Sequence, residues 1–137
     1  NRPMNKYVAD FIGSPSMNFL DGELHDEGGT LSVAGNGFSI PLGPSLTRRA
    51  RDRVGRAVTL GLRPTSFEMV EPPRGIVMPI VLSEYIGAQS VLISDVGGQR
   101  VAIEVNTLAP IKAGETKNFE IDGEEMHLFD PKTEAAI

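Results

Sequence analysis

Apolar and polar positions follow one period at the start of the chain and another after it. Met4, Tyr7, Val8, Phe11 and Ile12 recur at the three- and four-residue spacing of one helical face. Pro3 suits a first helical turn and Gly13 suits the position just past a helix end. The pattern predicts a helix of roughly ten residues, too short to be stable alone. Its apolar face must therefore dock on this domain or on another one. After Ser14-Pro15 the period becomes two. Leu31 and Val33, the turn Gly35-Asn36-Gly37, then Phe38, Ile40 and Leu42 predict a hairpin. Residues 45–54 fit a short helix, with Leu46, Ala50 and Val54 on one side and Gly55 as its stop, and fit a loop equally well.

Val58, Leu60 and Leu62 predict a strand stopped by Arg63-Pro64. The run from Glu71 to Gly75, with Pro72 and Pro73, predicts an extended linker or turn. Ile76 to Ile86 is strand-like, but Pro79 has no N–H to give a ladder and belongs at an edge or a bulge. Ser90–Val96 and Arg100–Val105 flank Gly97-Gly98 as a second hairpin. Ala113-Gly114-Glu115 is a turn, Lys117, Phe119 and Ile121 form a strand, and Met126, Leu128 and Phe129 open the last one, which Asp130-Pro131 ends. The sum is about seven or eight short strands behind one helix, the signature of a small closed or nearly closed barrel.

Composition narrows the class. The chain has 137 residues, enough for one domain with a real core. Fifteen glycines and ten prolines agree with many turns and few helices. The net charge of −5 and only eight aromatics argue against a nucleic-acid platform. With no cysteine, disulfides, thiolate metal sites and a cysteine nucleophile are excluded, and an intracellular location is permitted. No run of about 18 apolar residues is present to span a membrane as a helix. The opening Asn1-Arg2-Pro3-Met4 has neither a signal-peptide layout nor an initiator methionine, as expected of a processed chain or a fragment.

Catalytic signals are absent from the sequence. There is no G-x-x-x-x-G-K-[ST] loop, no G-x-G-x-x-G opening a helix and no G-x-S-x-G elbow. His25 and His127 lack metal-ligand spacing, and no pair of carboxylates is placed together by spacing. One basic cluster exists: Arg48, Arg49, Arg51, Arg53 and Arg56, with Asp52 interspersed. It reads as a solvated face, and the functional alternative is a contact to an acidic neighbouring domain or an anionic effector. Glu84-Tyr85-Ile86-Gly87 reads as an edge carboxylate with a glycine bend, or as part of an interaction surface.

Four blocks in order resemble one family. The run from Pro3 to Phe19 (P-x-N-x-Y-V-A-x-F-I-G-S-P-x-M-N-F) resembles the segment ending the nucleotide-binding domain of the ATP-binding subunits of maltose-type carbohydrate importers. Leu60-Gly61-Leu62-Arg63-Pro64 resembles the Gly-hydrophobe-Arg-Pro block of their regulatory domain, and Glu84-Tyr85-Ile86-Gly87 its later Glu-x-hydrophobe-Gly block. The run from His127 to Thr133 resembles their closing block. Two residues depart: Thr65 stands where the family has an acid, and Glu134 where it has a glycine. The nucleotide-binding domain itself is absent, so the family's ATP-site residues fall on no position here. The Gly97-Gly98-Gln99 triplet resembles the core of the transporter-ATPase signature, but its strand-spaced neighbours make it a hairpin turn.

The resemblance implies a mainly β fold of the transport-associated OB type, as one barrel or split into two small ones, with one short N-terminal helix. Residues 1–13 would be the terminal helix of the missing nucleotide-binding domain and 14–137 the regulatory domain. The implied function is non-catalytic regulation and dimerisation of a sugar-importer ATPase, with a small-ligand barrel sensing oxyanions or sugars as the alternative. No cofactor is implied for this chain, while ATP and Mg belong to the parent protein. Implied partners are a second copy, the nucleotide-binding domain, membrane subunits indirectly, and a regulatory protein or small effector, at the inner face of the cell membrane. Residues expected to make these contacts are Phe11, Arg48, Arg49, Arg51, Arg63, Glu84 and Gly87.

Overall fold

The computed structural model describes residues 17–137. The expected N-terminal helix, and Phe11 with it, lie outside the described residues. The first sheet opens with β1 (Asn18–Glu27), a strand that the apolar pattern hides. Leu20 and Leu24 are fully buried, and the alternate position between them is Gly22. A Cβ at Gly22 would stand 2.6 Å from Val33 Cγ1 and 2.8 Å from the Ala34 carbonyl oxygen, so packing against the next strand requires glycine. The expected hairpin follows as β2 (Thr30–Gly35) and β3 (Phe38–Pro41), with Gly35 opposite Phe38 across the turn.

Residues 44–53 resolve the choice between helix and loop. They form a six-residue helix, α1 (Pro44–Arg49), with proline in its first turn, then a single 3-10 turn over Arg51–Arg53. Leu46 and Ala50 are buried, whereas Val54 is 43% exposed and does not extend their face. β4 (Ala57–Leu62) then runs antiparallel to β1, from Ala57 opposite Glu23 to Leu62 opposite Asn18. Pro64 opens a second 3-10 turn, Pro64–Ser66.

The second sheet is built from β5 (Phe67–Val70), β6 (Ile76–Ile86), β7 (Gln89–Val96), β8 (Gln99–Asn106) and β9 (Thr116–Ile121), in the order β5-β9-β6-β7-β8. β6 changes partner along its length. Its first part pairs with β9 up to Pro79 opposite Thr116, and its second part pairs with β7, with a register shift between Ile80 and Leu82. Pro79 thus stands beside a bulge, where its missing N–H breaks no ladder. Its carbonyl accepts a hydrogen bond from Ser94 Oγ at 2.7 Å. The outer strands β5 and β8 approach each other, so the sheet curls toward closure.

The chain finally returns to the first sheet. A 3-10 turn at Gly123–Glu125 leads into β10 (His127–Phe129), which pairs with β4. The first sheet is therefore β10-β4-β1-β2-β3, five strands with α1 in the connection from β3 to β4, in keeping with an OB-like barrel. Ten strands are present among the described residues, more than the pattern predicted, because β1 and β5 carry too few alternating apolar residues to announce themselves. One cluster of buried apolar side chains runs through both sheets, from Leu20, Leu60 and Leu128 in the first to Met78, Leu92, Ile103 and Phe119 in the second.

Candidate interaction surface

The basic cluster divides into fasteners and free charges. Arg51 donates to Asp26 Oδ2 at 2.8 Å and to the Gly29 carbonyl at 2.7 Å, while Asp26 Oδ1 accepts the Gly29 N–H at 2.8 Å. It pins the turn between β1 and β2 to the corner after α1. Arg53 does the same for the C-terminal run, pairing with Asp130 Oδ2 at 3.2 Å. Arg49 reaches only Ser45 Oγ, at 3.4 Å. The guanidinium groups of Arg48 and Arg56 have no hydrogen-bond or ion-pair partner among the described residues. Arg56 lines a cleft of about 450 Å³ with Ala57, Asp130, Pro131 and Lys132.

Asp130 organises the closing block. Its Oδ1 accepts the backbone N–H groups of Lys132 and Thr133, at 2.8 and 3.1 Å. Those two bonds, Thr133 first, hold its carboxyl below the usual aspartate value, and Arg53 adds to the effect. Four residues on, Glu134 donates its N–H to the Asp130 carbonyl at 2.7 Å with φ +61°. It is the one non-glycine residue with positive φ among the described residues. The departure from the family's glycine falls where the backbone favours glycine.

Arg63 is half-buried at the exit of β4, where its carbonyl accepts the Ser66 N–H. Glu84 and Gly87 lie at the far hairpin between β6 and β7. Gly87 has φ +50° and open space around it, so conformation rather than crowding calls for glycine there. The structure gathers Arg48, Arg49 and Arg51 at one corner and leaves Arg63, Glu84 and Gly87 on other elements, so these residues form no single pocket.

Two features escape the sequence. The first surrounds Glu84: Leu82 and Ile86 are 57% and 59% exposed, Tyr85 is 37% exposed, and nearby Leu108 is wholly exposed. The signal was the apolar run of β6 itself, which reads as a strand buried on both faces. The second is a pair of side-chain amide clasps between β1 and β8. Asn18 Nδ2 donates to the Ala102 carbonyl at 2.9 Å, and the Ala102 N–H donates to Asn18 Oδ1 at 2.8 Å. Gln99 Nε2 donates to the Asp21 carbonyl at 3.0 Å, and the Asp21 N–H donates to Gln99 Oε1 at 2.9 Å. The glutamine of the Gly97-Gly98-Gln99 triplet thus joins the two sheets at a hairpin, as its strand-spaced neighbours implied.

Comparison with known proteins places this architecture. Residues 13–67, which include β1 to β4 and α1, match the MalK OB fold domain. The whole chain aligns at 36% identity with the uncharacterized ABC transporter ATP-binding protein y4oS of Sinorhizobium fredii (strain NBRC 101917 / NGR234), covering 35% of that protein. It aligns over 95% of its length, at 32% identity, with the sn-glycerol-3-phosphate import ATP-binding protein UgpC of Paraburkholderia xenovorans (strain LB400), covering 36% of it. The chain thus spans about a third of the length of the curated relatives it matches. A crystal structure of the cytoplasmic molybdate-binding protein ModG shares the fold, with a TM-score of 0.59 and 15% identity over 83% of this chain and 96% of that one. Residues 13–67 are thus similar to the MalK OB fold domain, within a chain that is similar along its whole length to part of ABC transporter ATP-binding proteins.

Proposed function

We propose that the chain is the non-catalytic regulatory and pairing domain of the ATPase subunit of an ABC-type importer of sugars or sugar-like phosphates. The observation that carries this reading is the full-length alignment with ATP-binding proteins about three times longer, over a stretch that folds as an OB-type body rather than a nucleotide-binding one. The UgpC relative is named for sn-glycerol-3-phosphate import, which supports the cargo class. In this reading residues 1–13 close the ATPase domain and 14–137 regulate it. ATP and Mg are bound by that domain, at the inner face of the cell membrane beneath the membrane subunits. Pairing of two copies keeps the ATPases at high effective concentration between cycles, so reclosure is intramolecular.

The purified 137-residue chain is expected to neither bind nor hydrolyse ATP, and to self-associate at high concentration. Isothermal titration with Mg-ATP and analytical ultracentrifugation measure the two halves separately. Nucleotide binding by the chain's own residues sinks the reading. A strict monomer at the highest concentrations removes pairing and leaves regulation standing.

A further inference from the structure

Beyond Ile80, β6 has a strand on one side only among the described residues. β9 accompanies it as far as Pro79. The lane is then closed by the Ile80 N–H donating to the Glu115 carbonyl and the Gly114 N–H donating to the Ile80 carbonyl, at 2.9 and 2.8 Å. From Leu82 to Ile86, β6 pairs with β7 alone among the described residues. Such an edge presents backbone donors and acceptors to any extended chain, and proteins commonly blunt it with lysine, proline or a covering loop. Here the edge carries large, exposed apolar side chains instead. Tyr85 is held in place, its hydroxyl donating to the Thr107 carbonyl at 3.2 Å.

Charge selects what can pair there. Leu82, Glu84 and Ile86 alternate and so share one face of the strand. The register sets Val91 opposite Glu84 and Glu104 opposite Val91, so that face carries two carboxylates with an apolar side chain between them. Neither the Glu84 nor the Glu104 carboxylate has a hydrogen-bond or ion-pair partner among the described residues. Lys112, in the turn at the head of the lane, lies close enough to Glu115 to help depress its pKa, so it is matched by an acid of its own. A second copy pairing edge to edge about Glu84 would set like charges directly opposite each other, which is destabilising.

We propose that the β6 edge from Leu82 to Ile86 receives an extended segment of a partner protein that reads apolar, basic, apolar at alternate positions, with the basic side chain opposite Glu84. The pairing of two copies does not depend on this edge, so the two readings stand or fall separately.

The test titrates the isotope-labelled full chain with the peptide acetyl-TVTKTVT-amide and with its counterpart acetyl-TVTETVT-amide. Amide shifts and slowed hydrogen exchange at residues 82–86 are expected with the lysine peptide, with roughly fivefold weaker binding of the glutamate peptide. The exposed substitution Glu84→Lys is expected to reverse that preference. No response at residues 82–86, equal binding of the two peptides, or an unreversed preference in Glu84→Lys overturns the proposal. So does protection of the same amides in the peptide-free chain as its concentration rises, which would assign the edge to a second copy.

Discussion

Glu134 shows how a backbone hydrogen bond can hold a residue against its conformational preference. An L residue with a Cβ is disfavoured in the left-handed region by about 1 kcal/mol, and Glu134 sits there to close the turn on Asp130. Glu134→Gly is expected to raise stability by about 1 kcal/mol in urea denaturation, and an unchanged or lowered midpoint would count against relief of strain. Asp130 adds a pH dependence to the same turn. Its folded pKa is depressed, so the stability it contributes is present above its ordinary value of 3.8 and is lost as pH falls through the lower folded value. The stability gap between the wild-type chain and Asp130→Asn should stay level at neutral pH and narrow below pH 3.8. Unfolding curves across that window measure it, and a gap that stays constant into strong acid would refute it. Legibility at this scale was uneven. The departure at Glu134 was readable from the family pattern, but the pairing of Arg53 with Asp130 joins residues 77 positions apart and no local spacing announces it.

At the scale of elements, the β2–β3 and β7–β8 hairpins were legible because their turns are written in glycine and asparagine between alternating apolar residues. β1 was not. Its inward positions are Asn18, Leu20, Gly22 and Leu24, and two of the four look like loop residues. Asn18 is there as a clasp and Gly22 is there for lack of room. The clasps replace direct strand pairing between β1 and β8, each amide presenting a donor and an acceptor to one residue's backbone. Asn18→Ala or Gln99→Ala each removes two hydrogen bonds and should cost about 1–3 kcal/mol. Because both act on one seam, the double variant should lose less than the sum of the two. Hydrogen exchange at Asp21 and Ala102 supplies the direct readout. Unchanged protection of both amides in the double variant would show that the sheets hold together without the clasps.

For the whole molecule, fold class was readable from turn density and period, and the layout of the sheets was not. Which strand neighbours which depends on contacts far apart in sequence, above all the pairing of Gly61 with His127. The candidate surface was half readable. The Glu84–Gly87 block marked the right hairpin, but an apolar run such as Ile76–Ile86 cannot say which of its residues will face solvent. The arginine cluster looked like one patch and proved to be two anchors, at Arg51 and Arg53, with three charges that bear on nothing nearby or only on Ser45.

The late return of β10 to β4 bears on how the molecule is made. The first sheet is begun by the first third of the described residues and completed by residues 127–129, with the second sheet emerging between them. On a ribosome, which delivers the chain from the N-terminus, β4 must wait with a bare edge until residues 127–129 appear. Closing so long an intervening stretch costs entropy before β10 can repay it, which marks a slow, non-local folding step. The Arg53–Asp130 pair and the turn around Glu134 sit at that final junction. They would then act as a latch set last, after both sheets have formed.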